Sequence, residues 1–289
     1  MTTIQNLVRG SATARGSQPS DQPTAEEREW ALQQRRARLR RLGLVWSLRL
    51  AVAAVLLITW QIVGQSNPLF TSYPTAVAEA AWEQITSGTL FVAIGQSFQI
   101  LAMGLVLGVV AGVVVGLIIG RYALVASSVE WIMSALNATP LLAIIPLVIV
   151  WFGLGIESKV ITVFMLTVFS MLFNTAAGVH EVDQHVLDVS RAYMASEGQV
   201  FRKIILPSAV PFIMTGLRIS IGRALIGTVA AEFFTGISGL GGRIQTYGAA
   251  YQTDSMLVPV LTLMLIGVAL TGVARRLEKI AAPWREQTR

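Results

Sequence analysis

The chain has 289 residues, 54% of them hydrophobic and only 13% charged, with a net charge of +6 and no cysteine. A soluble domain carries roughly a quarter of its residues as charges. The composition, with a mean hydropathy of +0.63, therefore excludes a water-exposed globular enzyme. It also excludes disorder, which requires low hydrophobicity, and the lack of Cys removes disulfide scaffolds and thiolate metal sites.

In chain order, residues 1–23 are rich in Ser, Thr, Gln and Gly, the composition of a disordered tail. Thr24-Ala25-Glu26-Glu27 then forms a capping-box pattern and opens an Arg-rich run that ends at residue 43. Two readings fit this run. One is a short helix lying on the inner membrane surface with Trp30, Leu32 and Leu39 toward lipid; the other is a solvated charged helix that only anchors topology. Six apolar blocks follow, each near the ~20 residues needed to cross a bilayer: residues 44–63, 89–120, 122–153, 160–179, 207–234 and 256–273. Pro140 and Pro146 interrupt the third. Proline removes a backbone donor and bends or breaks a helix, so this block is either one kinked span or a short helix plus a re-entrant piece.

The basic residues lie on alternate connections. The tail before Gly43, Arg121, the 180–206 segment and the stretch from Arg275 to the end together hold seventeen Lys and Arg. The intervening connections hold two, Lys159 and Arg243. The positive-inside rule puts both termini and the 180–206 segment in the cytoplasm. The positive charge is thus a topological signal and gives no support to nucleic-acid binding.

Gly104, Gly108, Gly112, Gly116 and Gly120 recur every four residues in the second block, so one face of that helix has no side chains. Small residues at this spacing let a second helix approach closely. That helix belongs either to the same subunit or to a pore-forming or dimer contact. Either way the pattern specifies an all-α membrane bundle, because barrel strands would alternate in polarity.

The 180–207 segment, HEVDQHVLDVSRAYMASEGQVFRKIILP, carries two short helical patterns, 183–194 and 197–205, joined at Ala195-Ser196. In the second, Val200, Phe201, Ile204 and Ile205 make an apolar ridge that would suit a groove in a partner. The segment is similar to the EAA loop of ABC-importer permeases, E-A-A-x3-G-x9-I-x-L-P. Ile204, Leu206 and Pro207 stand at the end of that pattern, Met194 at its Gly, and Asp188, Val189 and Ser190 at E-A-A. A glycine eases a tight turn, so Met194 marks a departure at the bend. The stretches 140–160, 173–183 and 217–233, with Ser238-Gly-Leu-Gly241 after them, resemble the nitrate/sulfonate/taurine branch of the same family. Pro74 and the helix-like residues 76–85 resemble its external segment.

The resemblance covers residues 44–282 and implies a type I importer permease in the inner or plasma membrane, with tails at 1–43 and 283–289. It implies a second permease copy or paralogue, two ATP-binding subunits and an extracytoplasmic substrate-binding protein. The coupling residues would be Asp188, Val189, Ser190, Met194, Ala195, Ser196, Glu197, Ile204, Leu206 and Pro207. The substrate would be a small anion such as a sulfonate, taurine or nitrate; bicarbonate or a cofactor precursor is the alternative. This chain would bind no cofactor of its own. It has no G-x4-G-K-[ST] phosphate loop, so ATP would be hydrolysed by the partner subunits.

Ionisable residues inside a membrane are functional candidates because their burial is costly. Arg218, Arg223 and Glu232 lie in the fifth block. With Pro140 and Pro146 they are the candidates for the translocation pathway. One arginine could lend positive potential to an anion route, since guanidinium matches oxyanions. Alternatively, either could pair with backbone carbonyls or with Glu130 or Glu232 of another helix. Asn174 suits a helix–helix hydrogen bond. A secondary transporter would need matched broken helices in two inverted repeats, and only one broken region is visible; a membrane enzyme would need a polar catalytic cluster.

Overall fold

A computed structural model describes residues 25–66, 71–236 and 238–282. The predicted tails at 1–23 and 283–289 and Thr24 of the capping box lie outside the described residues, as do the side chains of Trp30, Leu32, Leu39 and Glu130. The chain divides into two units after Trp60. The first holds most of helix α1, Ala25–Ser66, which is continuous over 42 residues, about 63 Å at ~1.5 Å per residue. Its stretch Gly43–Ser66 has a mean hydropathy of 1.8 and matches the first apolar block. The basic run continues into this span without a break. Arg49, near the start of the span, places its guanidinium 5.2 Å from the Trp46 ring centre, a cation–π contact.

The second unit contains α2 (Pro74–Thr86), α3 (Thr89–Arg121), α4 (Ala123–Ala138), a 3₁₀ turn (Leu141–Ile144), α5 (Ile145–Phe152), α6 (Ile156–His180), α7 (Gln184–Ala192), α8 (Glu197–Val200), a π-helical turn (Phe201–Ile205), α9 (Leu206–Thr235), α10 (Gly239–Ala249) and α11 (Thr253–Ala281). No strand occurs among the described residues. Among the described residues, five stretches are long and apolar enough to cross a membrane: Gly43–Ser66, Thr89–Arg121, Ile156–His180, Glu197–Thr235 and Thr253–Ala281.

The third predicted block is the broken one. Thr139, just before Pro140, takes an extended conformation with φ −68° and ψ 134°, as the proline ring demands of its predecessor. The chain then makes a 3₁₀ turn and restarts as α5, where Pro146 occupies an early position that needs no donor. The broken segment still crosses the bundle, because α3 and α6 run parallel and the chain must return between them.

That parallel pairing is the work of the glycines. A Cβ at Gly104 would stand 2.5 Å from the Val163 Cβ, one at Gly116 2.7 Å from that of Thr175, and one at Gly120 2.6 Å from that of Val179. Gly108 meets Thr167 and Gly112 meets Met171 in the same way. Each step of four on α3 matches a step of four on α6, so the backbones lie side by side along about four turns. The intrasubunit reading of the stripe is therefore the observed one. On its other side α6 meets α9 antiparallel, with Gly178 against Phe212, Gly216 against Asn174 and Gly227 against Leu166 and Val163. α6 is accordingly the buried centre, with Val163, Thr167, Met171 and Thr175 all fully enclosed.

Candidate functional site

At one end of the bundle lies the 181–207 loop. Asp183 caps α7, accepting from the His185 amide at 2.8 Å. Asp188 and Arg191 pair on the exposed side of α7 at 3.0 Å, while Ser190 is turned inward and donates to the Leu187 carbonyl. Ser196 and Gln199 form a reciprocal capping box at α8, which satisfies two donors at the helix start. Arg121, the last residue of α3, pairs with Glu197 and ties the hairpin to the bundle.

The apolar ridge of the loop faces inward. Val200 and Ile205 are buried with Val179, Val182 and Ala209, and Leu187, Ala195, Phe201 and Ile204 pack against them. The expectation that this ridge fills a groove in a partner is corrected: apolar side chains at helical spacing are satisfied first by the nearest core, here the ends of α6 and α9. The apolar side chains left in the open are Val186, Val189, Tyr193 and Met194, the last two 84% and 93% exposed. Met194 adopts a left-handed backbone with φ 51°, at the position where the EAA pattern has Gly. The bend requires that conformation, and a side chain there costs about 1–2 kcal/mol. Leu206 and Pro207 open α9, Pro207 at an early helical position.

The opposite end of the bundle is polar and closed. Glu232 of α9 is wholly buried. It accepts from Ser97 Oγ of α3 at 2.7 Å and from the Gly241 amide of α10 at 2.7 Å. Ser97 Oγ accepts in turn from the Leu240 amide at 2.7 Å, and the Gln96 side-chain Oε1 accepts from the Gly239 amide at 2.9 Å. Lys159, buried at the start of α6, donates to Ser238 Oγ at 2.7 Å. The first three amides of α10 thus all find acceptors, and the carboxylate sits where the helix dipole favours negative charge. Gly239, at φ +80°, leaves no room for a Cβ beside Glu232, which is why a Ser-Gly-Leu-Gly turn is used here.

The three membrane charges of α9 therefore part company. Glu232 holds α10. Arg218 pairs with Glu278 of α11, a partner that the sequence hid among the terminal charges; it is neither Glu130 nor Glu232. Arg223 is half-buried and makes no hydrogen bond or ion pair with the described residues. At ~100° per residue it lies roughly 140° around the helix from Arg218. Between them runs an exposed stripe of Ile219, Gly222, Ile226 and Phe233, opposite the face that packs on α6. Pro140 and Pro146 are exposed at the helix break and touch none of these charges through a hydrogen bond or ion pair. Asn174 donates to Ser170 of its own helix at 2.8 Å, not across to another. The anchor residues Gln96, Ser97 and Lys159 escaped the sequence reading. Their one signal was polarity at the starts of two apolar blocks.

Residues 104–281 match the model of the family described as binding-protein-dependent transport system inner membrane component. The chain is 30% identical over 246 residues to the taurine transport system permease protein TauC of Escherichia coli strain K12, covering 82% of this chain and 90% of that one. It is 32% identical over 233 residues to the riboflavin transport system permease protein RibX of Chloroflexus aurantiacus, covering 80% and 87%. Its fold is similar to a chain of the MetNI methionine ABC transporter in an inward-facing conformation, with a TM-score of 0.57 at 20% identity over 65% of this chain and 94% of that one. Five helices among the described residues that are long and apolar enough to cross a membrane, a capped hairpin and this family match make the chain a multi-pass membrane subunit of an ABC importer: it belongs to the binding-protein-dependent transport system inner membrane component family.

Proposed function

We propose that this chain is one half of the transmembrane pathway of an importer for a small organic or inorganic oxyanion, sulfonate or taurine before nitrate, driven by separate ATPase subunits. The observation that carries the coupling half is the 181–207 hairpin. It is fastened to the bundle by its own apolar ridge, by the capping box and by Arg121–Glu197. It still leaves Val186, Val189, Tyr193 and Met194 uncovered. A loop that is rigid underneath and apolar on top transmits a push, and needs an apolar partner to cover it.

In this reading both termini and the hairpin are cytoplasmic, which the bias of the basic residues supports, and the Glu232 end faces the substrate-binding protein. Two ATPase subunits sit on the hairpins of two permease copies or of this chain and a paralogue. ATP is bound and hydrolysed there, and this subunit performs no chemistry. Closure of the ATPase pair moves the hairpins, and α9, which begins where the hairpin ends, carries the movement to the pathway. Similarity to the taurine permease supports the anion class. Similarity to the riboflavin permease supports a second reading, uptake of a cofactor precursor.

The test is co-purification and uptake. The chain is co-expressed with its cognate ATPase and binding-protein subunits, and Tyr193→Asp and Met194→Asp are compared with the parent. Loss of the ATPase from the purified membrane complex and of ATP-dependent taurine uptake, with normal membrane levels, is the expected result. Retained co-purification and uptake would overturn the docking assignment.

A further inference from the structure

Building on the anion-importer reading above, we infer that Arg223 is the residue of this chain that meets the transported anion, and that Arg218 is not.

Two arginines five residues apart share one membrane helix, and the fold treats them differently. Arg218 is neutralised by Glu278 of the neighbouring α11, the usual way to keep a charge at membrane depth. Arg223 is half-buried, yet none of the described residues gives it a carboxylate or a hydrogen-bonding oxygen. Glu232, the other charge of the helix, stands about opposite it at ~100° per residue and is fully occupied by Ser97 and the start of α10. Arg223 lies at the edge of the exposed stripe of Ile219, Gly222, Ile226 and Phe233. Beside it, Gly222 is exposed and a Cβ there would have no atom within 4 Å, so the helix face next to Arg223 is open. A membrane cation left unpaired next to open space, on a face not used for packing, needs an anion to complete it. Sulfonate and carboxylate oxygens fit the planar donor fork of guanidinium, with two parallel N–H···O bonds. Ile219, Ile226 and Phe233 would meet the short apolar part of an alkanesulfonate.

The chain has no cysteine, so an Arg223→Cys variant places a single thiol in this subunit, and the parent complex serves as the background control. In the complete complex in membranes, the introduced thiol should react with water-soluble anionic and cationic methanethiosulfonates, and taurine with ATP should slow that reaction. Reaction only with lipid-soluble maleimide would overturn the placement. Uptake of labelled taurine is then measured for Arg223→Gln, Arg223→Lys and Arg218→Gln at equal complex levels. Arg223→Gln should fall by about tenfold or more, with Arg223→Lys in between. Binding-protein-stimulated ATPase activity should persist in both.

Parental uptake by Arg223→Gln, where the thiol of Arg223→Cys is water-accessible, would sink the anion contact and leave the importer reading standing. Loss of subunit assembly in both Arg223→Gln and Arg223→Lys would assign the charge to a neighbouring subunit and overturn the inference. A parent complex that takes up riboflavin and no oxyanion would overturn it together with the substrate class, and the taurine control identifies that case.

Discussion

The two ends of α9 are built on opposite plans. At the Glu232 end the first three amides of α10 and the Lys159 ammonium all have polar partners, drawn from α3, α9 and the turn before α10. At the Pro207 end the hairpin spends its capping groups on itself, holds a strained Met194, and presents Tyr193 and Met194 to solvent. A fully satisfied buried network fixes one arrangement, whereas exposed apolar surface and backbone strain persist where a partner or a movement uses them. One end of the helix is held and the other is offered.

The largest effect should come from unfastening the held end. Glu232→Ala removes the acceptor for the Ser97 hydroxyl and the Gly241 amide and leaves Lys159 without its carboxylate neighbour. Breaking a buried, hydrogen-bonded charge network costs about 3–5 kcal/mol. The detergent-solubilised complex should therefore lose thermal stability and accumulate poorly in membranes. Glu232→Gln keeps one acceptor and should lose less. If Glu232→Ala has the stability of the parent, the anchor does not hold α10.

Next is the seam between α3 and α6, which ties the two ends together. At Gly112 an added methyl would run into Met171 and would stand 2.7 Å from the Val168 carbonyl oxygen. Backbone cannot retreat as a side chain can, so Gly112→Ala should cost about 1–3 kcal/mol and Gly112→Leu more. Gly95 and Gly222, with nothing within 4 Å, should accept alanine without strain. A stability series in detergent across these three positions separates crowding from mere loss of glycine. Equal effects at all three would contradict the seam.

The legibility of this molecule follows the same division. The bundle was readable because lipid imposes its demand on single stretches: length, apolarity and glycine spacing of four are local. The interruption of the third block was readable too, since proline acts on its own turn, but whether it is a kink or a break was not. Pairwise facts were not. That Val200 and Ile205 point inward depends on where the ends of α6 and α9 stand. That Arg218 takes Glu278 depends on a residue 60 positions away. Ser97 and Lys159 became an anchor only when three helix ends met around Glu232. Met194 is the instructive intermediate case: its mismatch to the EAA pattern marked the bend, and the left-handed backbone supplies the reason.

Met194 also yields a smaller prediction at the offered end. Met194→Gly removes the left-handed penalty and adds chain entropy to the unfolded state, so the net gain in stability should be about 1 kcal/mol or less. If the exposed side chain contributes to docking, ATPase affinity should fall while stability rises. Opposite signs in the two measurements would distinguish a docking contact from a tolerated substitution; affinity unchanged by Met194→Gly would exclude the methionine from the interface.

The smallest structural effect should come from Asp188. Its pair with Arg191 lies on the exposed side of α7, with side chains 66% and 72% exposed, and such pairs contribute roughly 0–1 kcal/mol. Asp188→Asn should therefore leave thermal stability within about 0.5 kcal/mol of the parent. Its carboxylate stands where the EAA pattern begins, beside the uncovered Val189. A drop in ATPase affinity at constant stability, steeper at low salt than at high salt, would make the charge part of the coupling surface. A loss of stability without a change in affinity would instead put Asp188 among the fastenings of the hairpin, and would shift the boundary between the held and offered ends of α9 toward α7.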